Sequence, residues 1–260
     1  MATTETMNGQ EQHPHEMTEY NGTHRLFMQS MLSHRILEES QAEVIYEKIC
    51  DMLNADKADF GDFVAVINKE ISDVDLALRR TVDEYNSSAI IALVNTRGDE
   101  VAQLATTYTA NEIGFFKRVL ELIVTADDEA FSLGSMAAIR EGPKLKPAFS
   151  QRETEELLNK LVADKWLMRR RDGYYVLHMR SIIELQNYLK ETFENEIHEC
   201  LMCMEIVTVG ERCSQGRCEV RLHTHCAAGY FPEQDNGSEI KCPTCGTTWA
   251  RDNTIGTIRQ

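Results

Sequence analysis

CLMCMEIVTVGERCSQGRCEVRLHTHCAAGYFPEQDNGSEIKCPTC, residues 200–245, decides how the rest of the chain is read. It holds seven of the eight cysteines: Cys200, Cys203, Cys213, Cys218, Cys226, Cys242 and Cys245. Disulfides would leave one of them unpaired. The opening stretch Met1–Gly22 is polar and acidic and lacks a basic-then-apolar signal pattern, so the cluster points to metal ligands rather than an oxidised framework. Nine residues separate Cys203 from Cys213, four separate Cys213 from Cys218, four lead to His223, two to Cys226 and fifteen to Cys242. Eight ligands suit two tetrahedral zinc ions, because each CxxC turn sets two thiolates on one side of a knuckle and so supplies half a tetrahedron. Two such pairs with a His-x-x-Cys between them speak against a lone redox CxxC. The spacing leaves both His223 and His225 open as the histidine ligand. Two zinc ions on seven thiolates would move the formal charge from −15 to −18. A module of about 55 residues with few large apolar side chains depends on its metals to fold.

Immediately upstream the pattern is that of helices and a hairpin. Ile113, Phe116, Leu120 and Ile123 form a helical stripe to about Val124. Ser132 is placed to cap a short helix to about Arg140, and Gly142–Pro147 breaks it. Ser150 and Glu153 have the spacing of a capping box, followed by the apolar face Leu157, Leu158, Leu161 and Val162. Trp166–Arg170 and Tyr174–His178 flank Asp172-Gly173, a pair that tolerates the positive φ of a tight hairpin turn. Ser181 and Glu184 open a last helix to about Phe193. Three helices and a hairpin are the order of a winged-helix domain.

A weaker version of that order precedes it. Ile45, Ile49, Met52 and Leu53 share one helical face, as do Phe60, Phe63, Val64, Ile67 and Ile71. The period then becomes two, over Val74, Leu76, Leu78 and Val82. Asn86-Ser87-Ser88 turns the chain into the apolar run Ala89–Val94. Cys50 lies on a helical segment as a packed core residue. The fold class is therefore α+β: a tail over residues 1–23, winged-helix units at 24–108 and 109–194, a zinc module at 195–250 and a tail at 251–260.

With 42% hydrophobic and 27% charged residues, the chain is an ordinary globular one, not a fibrous or wholly disordered one. No apolar run approaches the ~20 residues a membrane helix needs, so no membrane is expected. The 42 acids against 27 bases disfavour nucleic acid as the main ligand. The imbalance is uneven: residues 143–180 carry net +4 and residues 38–84 net −8. The basic run Arg169-Arg170-Arg171 beside the hairpin turn is the candidate for a weak DNA contact, or else a solvated hairpin.

The ligand order C-C-C-C-H-C-C-C resembles RING-type domains with histidine as fifth ligand. Plant homeodomain fingers share the order. Pro243 after the seventh ligand favours the RING, as does Ile240 where a homeodomain finger usually has an aromatic. In a RING the pairs interleave, which implies His223 as the histidine. One ion would then sit on Cys200, Cys203, His223 and Cys226, and the other on Cys213, Cys218, Cys242 and Cys245. The four-residue gap between Cys213 and Cys218 is wider than the two of the family pattern and enlarges one loop. Over about residues 24–250 the chain resembles the RING-bearing non-SMC element one of the SMC five–six chromosome complex. The resemblance is carried by His34-Arg35-Ile36-Leu37-Glu38-Glu39, Ala92-Leu93-Val94-Asn95, Asn111-Glu112, Phe115-Phe116-Lys117, Asp164-Lys165-Trp166-Leu167 and the terminal finger.

That resemblance implies a nuclear, chromosome-associated ubiquitin ligase subunit in DNA repair and recombination, with MAGE-type and kleisin-type partners. A RING does no covalent chemistry; it positions a ubiquitin-conjugating enzyme and its ubiquitin. The family's contact surface maps to Met202 and Pro243, with Ile240 and Trp249 nearby; Met202 could instead only pack the zinc knuckle. Many active RINGs carry a base directly after the eighth ligand, where this chain has Gly246, so activity of the isolated finger is expected to be weak without a partner. The other function classes are a non-catalytic subunit whose finger braces the complex and, more remotely, a histone-tail reader.

Overall fold

The computed structural model describes residues 19–96, 107–231 and 240–256. Its first unit runs α1 (Gly22–His34), β1 (Ile36–Glu38), α2 (Glu39–Leu53), α3 (Phe60–Ile71), β2 (Leu76–Val82) and β3 (Ala89–Asn95). The second repeats the order with α4 (Ala110–Val124), β4 (Leu133–Gly134), α5 (Ser135–Ile139), α6 (Gln151–Ala163), β5 (Leu167–Arg169) and β6 (Tyr174–Leu177). Both sheets are antiparallel, and in both the third strand lies in the middle: β1-β3-β2 and β4-β6-β5. The helices and hairpin expected in each unit are present; the first unit has in addition the helix α1 ahead of the two helical stripes read from sequence, and each unit has a short strand after its first helix.

Local chemistry explains most boundaries. Asn21 caps α1, its Oδ1 accepting from Thr23 N at 2.9 Å. The helix therefore takes in residues 22 and 23, which the sequence assigns to a tail. Asp59 caps α3 through Gly61 N and Asp62 N. The Ser150/Glu153 capping box forms as expected, with Ser150 N donating to Glu153 Oε2 at 2.7 Å. Thr109 and Glu112 form another at α4. The Asp172-Gly173 turn closes with Gly173 at φ +85°.

Four local expectations fail. Val74 is not in the strand: Ser72–Val74 is a 3₁₀ turn closed by left-handed Asp75, and Val74 is 64% exposed. Ser132 caps nothing, because Leu133 and Gly134 pair with β6 and Gly134 occupies the cap position of α5. Ser181 is likewise no cap; its hydroxyl donates to Trp166 O, and His178 caps the helix by accepting from Arg180 N at 3.1 Å. The last helix is two pieces, α7 (Met179–Glu184) and α8 (Gln186–Thr192), broken at Leu185.

The third region has a small antiparallel sheet, β8-β7-β9, from β7 (Gly210–Arg212), β8 (Arg221–His223) and β9 (Thr254–Ile255), with α9 (Thr224–Tyr230) following β8. β9 lies within the segment expected to be a tail from residue 251. It is held there because Gly210 and Glu211 of β7 pair with Ile255 and Thr254.

Two apolar cores result. One belongs to the first unit and is aromatic: Phe63 lies 4.3 Å from Tyr46 and 5.3 Å from Phe27, ring centroid to centroid. Cys50 is buried in it, as expected of a packed residue. The other is continuous from the second unit (Phe116, Leu158, Leu167) into the cysteine region (Ile206, Leu222, Trp249). β3 separates the two, since Ile91 and Leu93 face the first core and Ile90, Ala92 and Val94 the second. Among the described residues no helix is long and apolar enough to cross a membrane.

Candidate metal centre

The backbone of residues 200–245 folds each ligand pair toward a partner pair distant in sequence. Cys200 N donates to Glu205 O and Met204 N to Cys200 O, which curls the first CxxC into a knuckle with Met204 left-handed. The last CxxC does the same through Cys242 N to Thr247 O and Gly246 N to Cys242 O. The β7–β8 ladder sets His223 opposite Gly210 and carries Cys226 on α9.

The ligand atoms of Cys200, Cys203, His223 and Cys226 all lie within 4.8 Å of one another, as do those of Cys213, Cys218, Cys242 and Cys245. Cys213 and Cys245 sulfurs are 3.4 Å apart and those of Cys218 and Cys242 3.7 Å apart. A disulfide needs ~2.05 Å. Zinc at ~2.3 Å from each sulfur places tetrahedral neighbours about 3.8 Å apart. The donor sets fit two zinc ions, and the pairs interleave.

His223 turns Nδ1 to the cluster, 3.3 Å from Cys203 Sγ, and Nε2 to Ile206 O at 3.0 Å. That second contact fixes the ring and its tautomer, as an outer partner does for a ligating histidine. His225 lies outside the cluster, stacked on His223 with ring centroids 5.1 Å apart. Behind His223, 3.6 Å from Nε2, is the fully buried carboxylate of Glu84. Glu84 belongs to the first unit's hairpin turn, and it accepts from Thr208 N at 2.9 Å, from Val209 N at 3.1 Å and from the Thr208 hydroxyl. Burial pushes its carboxyl above the ordinary range, against those hydrogen bonds and His223.

In both clusters the thiols are pulled in opposite directions. In the histidine-containing cluster burial raises Cys226, while against burial the contacts with His223 and backbone N–H groups draw Cys200 down to about 6. In the all-cysteine cluster burial pushes the Cys213 thiol up to about 12, so a metal must displace a firmly held proton there. Exposed Cys245, beside the Thr247 hydroxyl and amide, is drawn down to about 6. Beside the finger's sheet, Glu129 of the second unit accepts from Arg221 of β8 twice at 2.7 Å and from Arg212 of β7 at 3.1 Å. Burial alone would raise its carboxyl, but the two guanidiniums hold it below the usual range.

Residues 24–185 match the family model described as the Nse1 non-SMC component of the SMC5-6 complex. The chain belongs to the Nse1 family. Residues 200–245 match a RING-like domain model. The chain is 30% identical over 239 residues to the non-structural maintenance of chromosomes element 1 homolog of Xenopus laevis, covering 89% of this chain and 84% of that protein. The Homo sapiens homolog is 30% identical over 232 residues, with coverage of 88% and 84%. The Schizosaccharomyces pombe element 1 is 28% identical over 195 residues, with coverage of 75% and 79%. Among solved structures, a chain of an Nse1-Nse3-Nse4 complex superposes with TM-score 0.78 at 28% identity, over 89% of this chain and 98% of that one.

The other residues singled out for this Nse1-family chain are placed unevenly. Met202 is 48% exposed, and the sequence reading missed its neighbours Leu201 and Met204, exposed as well. The signal was available in Leu201, beside Met202 inside the CxxC, and in Met204 directly after it. Pro243 is exposed and Ile240 half-buried. Trp249 is not at the surface: it is 4% exposed, packs against Phe231 and donates its indole N–H to Glu211 at 2.7 Å. It serves the finger's core. Arg169 and Arg171 are exposed, whereas Arg170 is half-buried, donating to Gly256 O at 3.1 Å and pairing with Asp172 at 2.8 Å. Glu84 and Glu129 carry no motif, and nothing in the sequence marked them.

Proposed function

We propose that this chain is the RING-type ubiquitin ligase subunit of an SMC five–six complex. In this reading it acts on nuclear chromosomes in DNA repair and recombination, with a MAGE-type Nse3 and a kleisin-type Nse4. The observation that carries it is a pair of interleaved metal clusters framing exposed apolar side chains. Leu201 and Met204 line a shallow cleft with Thr244, beside Pro243, and Met202 is exposed between them. The finger supplies no nucleophile or proton shuttle. Its contribution is to dock a ubiquitin-conjugating enzyme on that apolar surface and restrain the attached ubiquitin.

Gly246 favours dependence on a partner. It sits at φ +72° directly after the last ligand, a conformation that strains any side chain, so the finger has no cation there for ubiquitin. The exposed Arg169 and Arg171 support at most a weak phosphate contact, which three Glu replacements at 169–171 would weaken most at low salt. The second reading is a bracing subunit without ligase activity. It is favoured by the fastening of the finger to both units through Glu84 and Glu129.

Ubiquitination assays of the chain with its MAGE-type partner, across a panel of conjugating enzymes, separate the two. Ubiquitin chains that disappear on Met202→Asp, with both zinc ions retained, are expected. No ubiquitin product under any pairing overturns the ligase reading and leaves the brace.

A further inference from the structure

Two of the segments that carry the family resemblance, His34–Glu39 and Asp164–Leu167, have no part in the metal centre. The fold brings them together. The end of α1 and the end of α6 meet across the seam between the first two units, around a cleft of about 440 Å³ lined by Arg35, Tyr108, Asp164, Lys165, Trp166 and Arg180. Three of these are cations from three separate elements.

Two of the three cations, Arg35 and Lys165, have no ion-pair partner among the described residues. Arg35 makes no side-chain hydrogen bond or ion pair among the described residues. Among the described residues Lys165, half-buried, donates only to a neutral acceptor, Ile36 O at 3.0 Å. Burial first, and then the neighbouring Arg180, disfavour its charged form. Among the described lining residues the one carboxylate, Asp164, accepts from Tyr108 OH at 2.6 Å and forms an ion pair with none of the three cations. Arg180 lies over the Trp166 ring at 4.1 Å and pairs with Glu184 at 2.7 Å, so its plane is fixed.

The backbone adds a second observation. Lys165 occupies the left-handed position that ends α6: Trp166 N donates to Leu161 O and Lys165 N to Val162 O, with Lys165 at φ +62°. Glycine is the least strained residue at that position. Arg35 ends α1 at φ +64°. At both helix ends the chain carries a long cation in a strained backbone, and both cations line the same cleft. Strain of this kind persists where the surroundings use the side chain.

We infer that the cleft between α1 and α6 binds an acidic peptide segment, with a Glu or Asp side chain entering between Arg35 and Lys165. The recess admits a side chain rather than a duplex. The first unit beside it carries net −8 over residues 38–84, which opposes a duplex, with one charge per ~1.7 Å of its axis, more strongly than a short acidic peptide with one charge per residue.

Calorimetric titration of the full zinc-bound chain with hexaglutamate tests this, with inorganic phosphate and a short DNA duplex as separate arms. Hexaglutamate is expected to bind, and Arg35→Gln and Lys165→Gln are each expected to weaken it about tenfold, one lost charge contact. Arg171→Gln, on the remote hairpin, should leave it unchanged. Arg35→Gln removes no side-chain hydrogen bond or ion pair among the described residues, so its unfolding midpoint should match the parent and keep the test independent of folding. Absence of hexaglutamate binding, or binding indifferent to both substitutions, overturns the proposal. So does phosphate binding as tightly as the peptide, which would make the cleft a simple oxyanion site. So does a duplex whose binding depends on Arg35 and Lys165, which would make it a nucleic-acid contact.

Discussion

The first and second units have the same element order and the same strand order, yet they are completed differently. The first closes its own core, with Phe27, Tyr46, Phe60 and Phe63 packed ring against ring. The second does not stop at its own boundary: its core runs on through Leu185, Leu189 and Phe193 into Ile197, Ile206 and Leu222 of the metal region. A line drawn near residue 195 therefore cuts a continuous apolar cluster. The difference shows that shared topology does not imply equal independence. A small three-stranded sheet with three helices buries one face by itself and needs a neighbour for the rest. For the first unit that neighbour packs on the back of β3 and holds the β2–β3 turn through Tyr85 and Glu84, whereas for the second it is the zinc module.

Metal removal is the harshest way to test that asymmetry. Structural zinc contributes ~10–16 kcal/mol of apparent binding free energy in finger peptides. After chelation, hydrogen exchange is expected to show lost protection in β7, β8 and α9 and weakened protection in α7 and α8. Amides of α2 and α3 should keep theirs. Cys242→Ser should do the same through one cluster, because the pairs interleave, and should lower zinc content below two per chain. Equal loss in α2 and α3 would break the comparison, since the first unit would then depend on the metal as much as the second.

Two core truncations sharpen it. Phe63 and Phe116 are both almost fully buried, in the first and second cores respectively. Either Phe→Ala change should cost ~3–5 kcal/mol on chemical unfolding. The distinction lies in the metal: Phe116→Ala should speed zinc release to a chromophoric chelator, and Phe63→Ala should leave it near the parent rate. Identical release rates would mean that the shared core does not couple the second unit to the finger.

Glu84 is where the first unit does reach the metal. Glu84→Ala leaves Thr208 N, Val209 N and the Thr208 hydroxyl without their acceptor in a buried site, a loss of about 2–3 kcal/mol. It also removes the carboxylate behind His223. Zinc should leave the histidine-containing cluster first in this variant, while the all-cysteine cluster is less affected. Cobalt substitution resolves the two, since a site with three sulfurs and a nitrogen absorbs differently from one with four sulfurs. Parallel loss from both clusters would mean that Glu84 braces the finger generally and not the His223 ligand.

What the sequence revealed was local. The CxxC knuckles, the Ser150/Glu153 box and the Asp172-Gly173 turn are each specified within a few residues, and each formed. β1 and β4 were invisible because three or two residues carry no period; their pairing partners supply the signal. Glu84 and Glu129 were missed because their partners lie 124 and 92 residues away, and a lone acid beside a turn reads as solvated. Trp249 was misplaced for the same reason. Its burial depends on residues 251–255 folding back, where Arg251 donates to Phe231 O and Thr254 pairs with Glu211. The metal ligands were legible as a set; the spacing left His223 and His225 open, the family resemblance favoured His223, and the β7–β8 register brings His223 to the cluster.

The smallest expected effect tests how the second unit hands its chain to the finger. His178 ends the hairpin and caps α7, and its Nδ1 must be unprotonated to accept from Arg180 N. Burial first, and then Lys165, depress its pKa from 6.5 to about 4. Above 6.5 the ring is neutral in both folded and unfolded chains and contributes no pH dependence. Between 6.5 and about 4 the unfolded chain takes up a proton that the folded chain refuses, so stability falls as pH falls through that window. Acid also strips zinc, so the measurement is a difference. His178→Asn keeps a capping oxygen and removes the titration. The thermal midpoint of the parent is expected to drop further than that of the variant between pH 7 and pH 5, with the two converging at neutral pH. Equal drops would mean that the cap opens to water before it protonates. The link from β6 to α7 would then be looser than its hydrogen bonds imply, and acid sensitivity would reside in the metal ligands alone.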